Sequence, residues 1–381
     1  MVPSSLMDVD VVRGDAEFEA LSTGWTDLYR RVPQALPFQS YPWNRAWWAH
    51  FSRQSFFRKD DRFILAFRLD GRLVGVLPMV HTRFGLGPLT VYRYLRPFGS
   101  DPNLTEIRTP LVEPDCSAQV LERCIGLLHK DRPLFGLHQL VAPAGLLRPL
   151  LESHGNYKVV ANRVIEDFVL ELEAPWPSFL KNRKRNIRES VRHCYNSLLR
   201  DGLRHQLRVL SDSEDVLAHL THFFALHGNR SKVRDSVPHP DYFASDRHQS
   251  FLKTLIQRSA GTACPLHMFQ LMLNDQVVAI RLGFVVNDEL YFYYSGYDTA
   301  YARYSVMTTL VAEVMRWAMD RGVKRINLSV GRDVSKTRWS PAEIRIDDCH
   351  FIRNTPLNRF FSTVVLTFKR TRRSLFSGWA S

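Results

Sequence analysis

A β-hairpin signal is written twice in this chain, about one domain length apart. Residues Arg62 to Thr82 form two apolar, β-prone runs around Asp70-Gly71, a dipeptide suited to a two-residue turn. Met268 to Phe284 repeats the pattern around Asn274-Asp275. With Leu69 set on Leu273, the run Leu73-Val-Gly-Val76 falls on Val277-Val-Ala-Ile280. Recurrence at that spacing predicts a duplicated unit. Length agrees, since 381 residues fit two domains of ordinary size.

The flanks of the two hairpins share a grammar. Helical spacing precedes the first over Asp15–Tyr29 and Tyr41–Phe51, the latter carrying Trp43, Trp47 and Trp48. The second is preceded by Asp212–His227, with Ser211 as N-cap and Glu214 completing a capping box, and by Asp246–Ser259. After it come a strand over Glu289–Tyr294, a helix over Ser305–Arg321 and a strand over Lys324–Val330. The order helix, helix, antiparallel meander, helix, strand predicts an α/β fold with mixed, largely antiparallel sheets, not a doubly wound parallel one. Pro175 and Pro177 interrupt both periodicities and set the expected boundaries at 8–173 and 174–355, with a basic tail over 356–381.

A hydrophobic share of 45% and a charged share of 23% are those of a globular chain and exclude a disordered one. No apolar run approaches the length of a membrane-spanning helix, and the first ten residues lack the basic and apolar regions of a secretion signal. The five cysteines are scattered, with no C-x-x-C, which argues against disulfides and a zinc site and fits a cytoplasmic protein. No metal is expected. The net charge of +13 favours an anionic partner.

Much of that charge lies in Ser178–His193, read as one long basic helix capped by Ser178. Phe179, Leu180, Ile187 and Val191 form its buried stripe, leaving Lys181, Arg183, Lys184, Arg185, Arg188 and Arg192 on other faces. Three readings stay open: a solvated face, an anion-binding wall at the join, or a nucleic-acid surface. Nucleic acid is disfavoured, because no RNA-binding motif or interleaved aromatics accompany the charge. The tail, with Leu375, Phe376 and Trp379 among its basic residues, is either unstructured or a contact for an anionic membrane surface. No motif sets an oligomeric state.

Residues able to carry chemistry concentrate between Tyr291 and Trp339. The strand ending near Tyr294 leaves Tyr294, Tyr297 and Asp298 at its mouth. The helix that follows has Thr308 and Thr309 in its first turn, where free N–H groups suit a phosphate, with Arg303 beside them. An ordinary capped helix reads the same way. Past Gly331, Lys336, Arg338 and Trp339 fall within one loop whose amine, guanidinium and indole suit an anionic or sugar-like ligand; a salt-bridged loop with Trp339 on the core is the alternative.

Several of these segments carry a resemblance: Leu180-Lys-Asn-Arg-Lys-Arg-Asn-Ile-Arg188, the Asn274–Ile280 hairpin, Tyr297-Asp298 with Tyr301-Ala-Arg-Tyr-Ser305, and Leu328-Ser-Val-Gly331 with Ser335-Lys-Thr-Arg-Trp339. Together they resemble the GNAT acetyltransferase fold, and more narrowly the CelD/BcsL-type acetyltransferase-like family of cellulose and exopolysaccharide biosynthesis, similar to the Fem peptidyltransferases. Phe38-Gln-Ser-Tyr-Pro-Trp43 and Gly71–Pro78 extend the likeness into the first half. The resemblance implies tandem GNAT-like domains and transfer of an acyl group, acetyl above all, from acyl-CoA to an amine or hydroxyl. The implied acceptor is a small molecule or a saccharide of envelope or exopolysaccharide metabolism. In GNAT folds a loop Arg/Gln-x-x-Gly-x-Gly/Ala cradles the CoA pyrophosphate; here the register gives Arg303-Tyr-Ser-Val-Met-Thr308, with Val306 and Thr308 at the small positions.

The implied catalytic residues are Lys336, which matches the family's loop lysine, then Asp298 as base and Tyr294, with Tyr304 as the alternative, as donor to the leaving thiolate. Glu313 is discounted as base because it lies deeper in the helix. Arg303, Tyr304, Ser305 and Thr308 are implied in CoA binding, and Arg185, Arg188, Arg338 and Trp339 in acceptor binding. The competing reading is a non-catalytic, degenerate GNAT pair that binds an anionic ligand or a protein.

Overall fold

The computed structural model describes residues 7–86, 89–100, 103–130, 136–173, 175–233 and 239–360. Its strands are β1 (Asp8–Val12), β2 (Arg58–Leu69), β3 (Arg72–Leu86), β4 (Leu89–Pro97), β5 (Leu111–Val112), β6 (Gly136–Pro143), β7 (Tyr157–Glu171), β8 (His205–Leu210), β9 (Leu266–Leu273), β10 (Gln276–Val286), β11 (Glu289–Tyr297), β12 (Arg325–Val330) and β13 (Ala342–Arg353). They join in one sheet in the order β1-β2-β3-β4-β6-β13-β7-β12-β11-β10-β9-β8, with β5 paired to β3.

Both expected hairpins form, and their turns explain why. Asp70 and Gly71 have φ of 50° and 78°, and Asn274 and Asp275 have 46° and 69°. Two consecutive left-handed residues match the twist of paired strands, and Asp, Asn and Gly adopt that conformation most readily. From each hairpin the halves run in parallel. In the first, β2, β3 and β4 are antiparallel and β4 then pairs in parallel with β6 over Arg93–Leu95. In the second, β9, β10 and β11 are antiparallel and β11 pairs in parallel with β12 over Glu289–Tyr291. This is the tandem GNAT-like arrangement.

The centre of the sheet is exchanged between the halves. β13 lies between β6 and β7, pairing with β6 over Ile346–Phe351 and with β7 over nearly its whole length. β7 in turn pairs with β12. Each half therefore completes its sheet with the last strand of the other, around an approximate two-fold axis near Ile165 and Ile346, which face each other.

The helices are α1 (Asp15–Ala20), α2 (Ser22–Arg31), α3 (Tyr41–Phe51), α4 (Ser117–Lys130), α5 (Leu147–Ser153), α6 (Trp176–Lys181), α7 (Arg185–Arg200), α8 (Ser213–Ser231), α9 (Asp246–Ser259), α10 (Val306–Asp320) and α11 (Val334–Thr337). One core is common to both halves: Trp43 of α3 packs edge-on against Phe251 of α9 at 5.4 Å and Tyr293 of β11 at 5.7 Å. On the other face α4 and α5 cover the first half, and α7 and α10 the second. No helix among the described residues is long and apolar enough to cross a membrane.

Three local expectations are corrected. The cap of α8 is Asp212, which accepts from the N–H groups of Glu214 and Asp215, while Ser211 bonds the ring of His267. The first helix breaks at Leu21 into α1 and α2. The long basic helix is two helices, α6 and α7, with Ser178 inside the first and Lys184 extended at the break. At the break the Arg183 guanidinium lies 4.4 Å over the Phe179 ring and donates to the Trp339 carbonyl. Of the expected stripe, Phe179, Ile187 and Val191 are buried and Leu180 is half-buried. The tail beyond Phe360, with Leu375, Phe376 and Trp379, lies outside the described residues.

Candidate active site

The parallel ladder between β11 and β12 ends at Tyr291 and Asn327, and the strands then part. Two irregularities shape the gap. On β11 a bulge sets Tyr293 and Tyr294 together opposite Leu282, so both rings join Tyr291 on one face of the sheet. On β12 Ser329 takes φ of 66° and turns the strand outward.

The three tyrosines grip a loop of the first half. Tyr294 donates to the Asn103 carbonyl and Tyr293 to the Leu104 carbonyl, each at 2.8 Å, and Tyr291 donates to Glu106 Oε2 at 2.7 Å. Glu106 is thereby delivered from the first half into the gap of the second. Burial raises its carboxyl to about 7, against the opposing pull of the Tyr291 hydrogen bond and the Lys336 charge.

Beneath it lies Asp167 of β7, 2% exposed. Asn327 donates to its Oδ2 at 2.8 Å, while Oδ1 is buried without a partner. Burial raises this acid to about 6. The two-fold axis places Asp348 of β13 in the same position in the first half. There Gln139 donates to Asp348 Oδ1 at 2.7 Å and Arg108 closes Oδ2 at 2.6 Å. The same amide–carboxylate pair thus occurs twice, sealed by an arginine in the first half and open in the second.

Positive charge surrounds the open copy. Burial lowers Arg281 of β10 to about 9, with Arg230 adding to the effect; its guanidinium lies 4.6 Å over Phe292 and its Nε has no partner. Arg230 donates to Ser295 Oγ at 2.8 Å. Lys336 Nζ turns inward and donates to the carbonyls of Ser329 at 3.3 Å, Val330 at 2.5 Å and Gly331 at 3.2 Å, with Asp333 Oδ2 at 3.9 Å. Its pKa is lowered by burial, while Glu106 and Asp333 oppose the shift.

The remaining sequence-chosen residues divide by position. Arg338 Nη2 donates to Thr308 Oγ1 at 2.8 Å, which brings the Lys336 loop to the start of α10. Ser305 caps α10 with φ of 52°, and no acid occupies the first turn. Val306 is 1% exposed, so its branched side chain points into the core rather than into the loop. The α10 start with Arg338 therefore fits an anion such as a pyrophosphate. Arg303 and Tyr304 are bonded to each other and turn to Asp201 on α7's end. Asp298 accepts from the Ala300 N–H and caps the short turn Thr299–Tyr304. Arg185 pairs with Glu189 in solvent, Arg188 reaches back to the Lys181 carbonyl, and Trp339 packs in the core at 1% exposure. Glu313 accepts from Tyr195. Sequence reasoning missed Glu106, Asp167, Arg281 and Asn327. The available signal was a charged residue at an inward register of an apolar strand, as in Val164-Ile-Glu-Asp-Phe-Val169.

The fold is that of tandem GNAT-like domains. Residues 181–337 match the profile of a family described as Acetyltransferase (GNAT) domain, which places an N-acyltransferase domain in the second half. In structure the chain is similar to FemX, with a TM-score of 0.55 at 9% identity over 86% of this chain and 95% of that one. It is also similar to a conserved protein of unknown function from Bacteroides thetaiotaomicron, with a TM-score of 0.50 at 12% identity over 90% of this chain and 99% of the other. No curated protein matches it in sequence. Among the described residues no group of His, Cys, Asp and Glu is placed to hold a metal ion.

Proposed function

We propose that this protein transfers an acyl group, acetyl in the first instance, from acyl-CoA to an amine of a saccharide or envelope-related acceptor, with Glu106 as general base. The observation that carries the reading is Glu106 itself, raised to about 7 and held by Tyr291 in the gap between β11 and β12. A base with that pKa is half ionised at neutral pH and suited to take a proton from the acceptor's ammonium before attack or from the amine as it attacks.

Acyl-CoA would supply the acyl group as an activated thioester. The start of α10, with Ser305, Thr308 and Arg338, would hold its phosphates, and Arg303 would join by leaving Tyr304. Glu106 accepts the proton released as the amine nitrogen bonds to the acyl carbon. Arg281 and Lys336 set positive charge beside the oxyanion that develops there. Collapse of the oxyanion then breaks the C–S bond, and CoA leaves as a thiolate that takes up a proton from Glu106 or solvent. Asp167 Oδ1 is free to accept a hydrogen bond from the acceptor. The CelD/BcsL-type and Fem-like segments favour an envelope or exopolysaccharide acceptor. The 8–173 and 174–355 halves would act as one unit, the first supplying the base and the second the donor site.

The test is a thermal-shift and mass-spectrometric screen of acyl-CoAs with amino-sugar acceptors. Acetyl-CoA is expected to raise the melting temperature of both the wild type and Glu106→Gln, with product formed by the wild type alone. Absence of any stabilisation by acyl-CoAs would overturn the donor assignment; turnover by Glu106→Gln would overturn the base.

A further inference from the structure

The tight turn Ser55–Arg58 at the outer end of the first half holds two phenylalanines in solvent. Phe56 is 69% and Phe57 65% exposed, and their rings meet edge-on at 5.1 Å. The turn is well built: Ser55 N–H donates to the Arg58 carbonyl at 2.7 Å, and the Phe57 carbonyl accepts from Gly85 at 3.2 Å. Val91 on the neighbouring β4 is a further exposed apolar residue at 52%. A rigid turn that presents paired aromatics without burying them carries a hydration cost that a partner would relieve.

The setting of the turn identifies that partner. From Ser52 to Lys59 the chain carries Arg53, Arg58 and Lys59 and no acid. Arg83 and Arg93, opposite each other on β3 and β4, adjoin them. Beside the turn an open hollow of about 490 Å³ is lined by Arg13, Arg62, Arg83, Arg93, Gln54 and Trp48 among others. Asp60 and Asp61 line it too, Asp60 paired with Arg58 and Asp61 with Arg83 at 2.7 Å, and Arg62 is shared with Asp15; the cations still outnumber the acids around the hollow. Arg62 lies 5.2 Å over the Trp48 ring. Paired aromatics with arginines and a lysine around them are the composition of the membrane–water interface, where rings enter the headgroup layer and cations meet lipid phosphates.

We propose that the Phe56–Phe57 turn and the adjoining arginine-lined hollow dock the first half on a bilayer surface bearing anionic phospholipids. The rings enter the interface and the hollow receives headgroup phosphate. The surface is distinct from the candidate active site. The Phe56–Phe57 turn lies at the start of β4, whereas the Glu106 loop follows the end of that strand, roughly 30 Å away for nine extended residues; the hollow extends from the turn as far as His81, opposite Leu95, and shares no lining residue with that site.

The test is co-sedimentation of the full chain with phosphatidylglycerol–phosphatidylcholine vesicles and with pure phosphatidylcholine vesicles, for wild type and Phe56→Ser/Phe57→Ser. The wild type is expected to bind the anionic vesicles, more weakly as salt rises. The double variant, with unchanged melting temperature and acyl transfer, is expected to bind them roughly tenfold or more weakly. Equal binding by wild type and variant would overturn the proposal and move any membrane contact elsewhere, the basic tail included. So would failure of the wild type to bind, or light scattering showing that the substitutions dissociate a dimer, which would make the turn a contact between copies.

Discussion

Glu106 carries opposite consequences for activity and for stability as pH changes. With Glu106 as the proposed base, the ionised carboxylate is the working form, and its folded pKa of about 7 lies above the ordinary value of 4.5. Activity should therefore rise with pH through about 7, and Glu106→Gln should lower turnover by about 10²–10⁴-fold. Stability runs the other way. A carboxyl raised on folding stabilises the native state below its unfolded pKa, and that contribution is lost as pH climbs through the folded value, a change on the order of 3 kcal/mol between pH 4.5 and 7. Thermal melts should show Glu106→Gln more stable than wild type at pH 8 and about equal at pH 4. Lys336→Met tests the neighbouring cation. It leaves three loop carbonyls without their donor, so the melting temperature should fall by the equivalent of about 1–3 kcal/mol. Because the lysine charge holds the Glu106 pKa down, the acid limb of the pH–rate profile should also move upward. A melting change with an unmoved limb would mark Lys336 as a loop tether alone.

Two glycines separate turn chemistry from packing among the elements. Gly71 has φ of +78° with open space around a would-be Cβ, so Gly71→Ala should cost about 1–2 kcal/mol through backbone strain. Gly296 of β11 is different: a Cβ there would sit 2.4 Å from the His227 nitrogen of α8. Gly296→Ala must push a whole helix off the sheet and should cost about 3 kcal/mol or more, read by urea denaturation. Such differences track what the sequence discloses. The hairpins and the helices α3 and α9 were legible because turn residues and apolar spacing are local. The α8 cap went astray because Ser211 and Asp212 are adjacent and equally suited to capping. The strand exchange left no local trace, since nothing within the sequence of β7 or β13 names the neighbour either strand finds. Nor did Glu106, whose segment Asn103-Leu-Thr-Glu-Ile107 has no motif and is placed by the bonds that Tyr291, Tyr293 and Tyr294 make to it.

For the whole molecule the shared core and exchanged strands predict one cooperative unit. Calorimetry should show a single unfolding transition with matching calorimetric and van't Hoff enthalpies, in place of the two expected of beads on a string. Fragments 1–173 and 174–381, expressed apart, should be insoluble or unfolded, because each lacks the strand that fills its sheet. Co-expressed, they should recover soluble protein. Independent folding of either fragment would contradict this.

The exchange also sets a timetable for synthesis. β7 is complete at Glu171, but β13, which must pair along it and along β6, begins only at Ala342. At the usual 5–20 residues per second a ribosome needs roughly 10–40 s to cover that stretch. Throughout that time β6 and β7 are strand edges without their final neighbour, the state in which chains most readily adhere to one another. The nascent first half is thus a natural client for a holding chaperone, and a stop codon anywhere before β13 releases a product whose sheet is open at its middle.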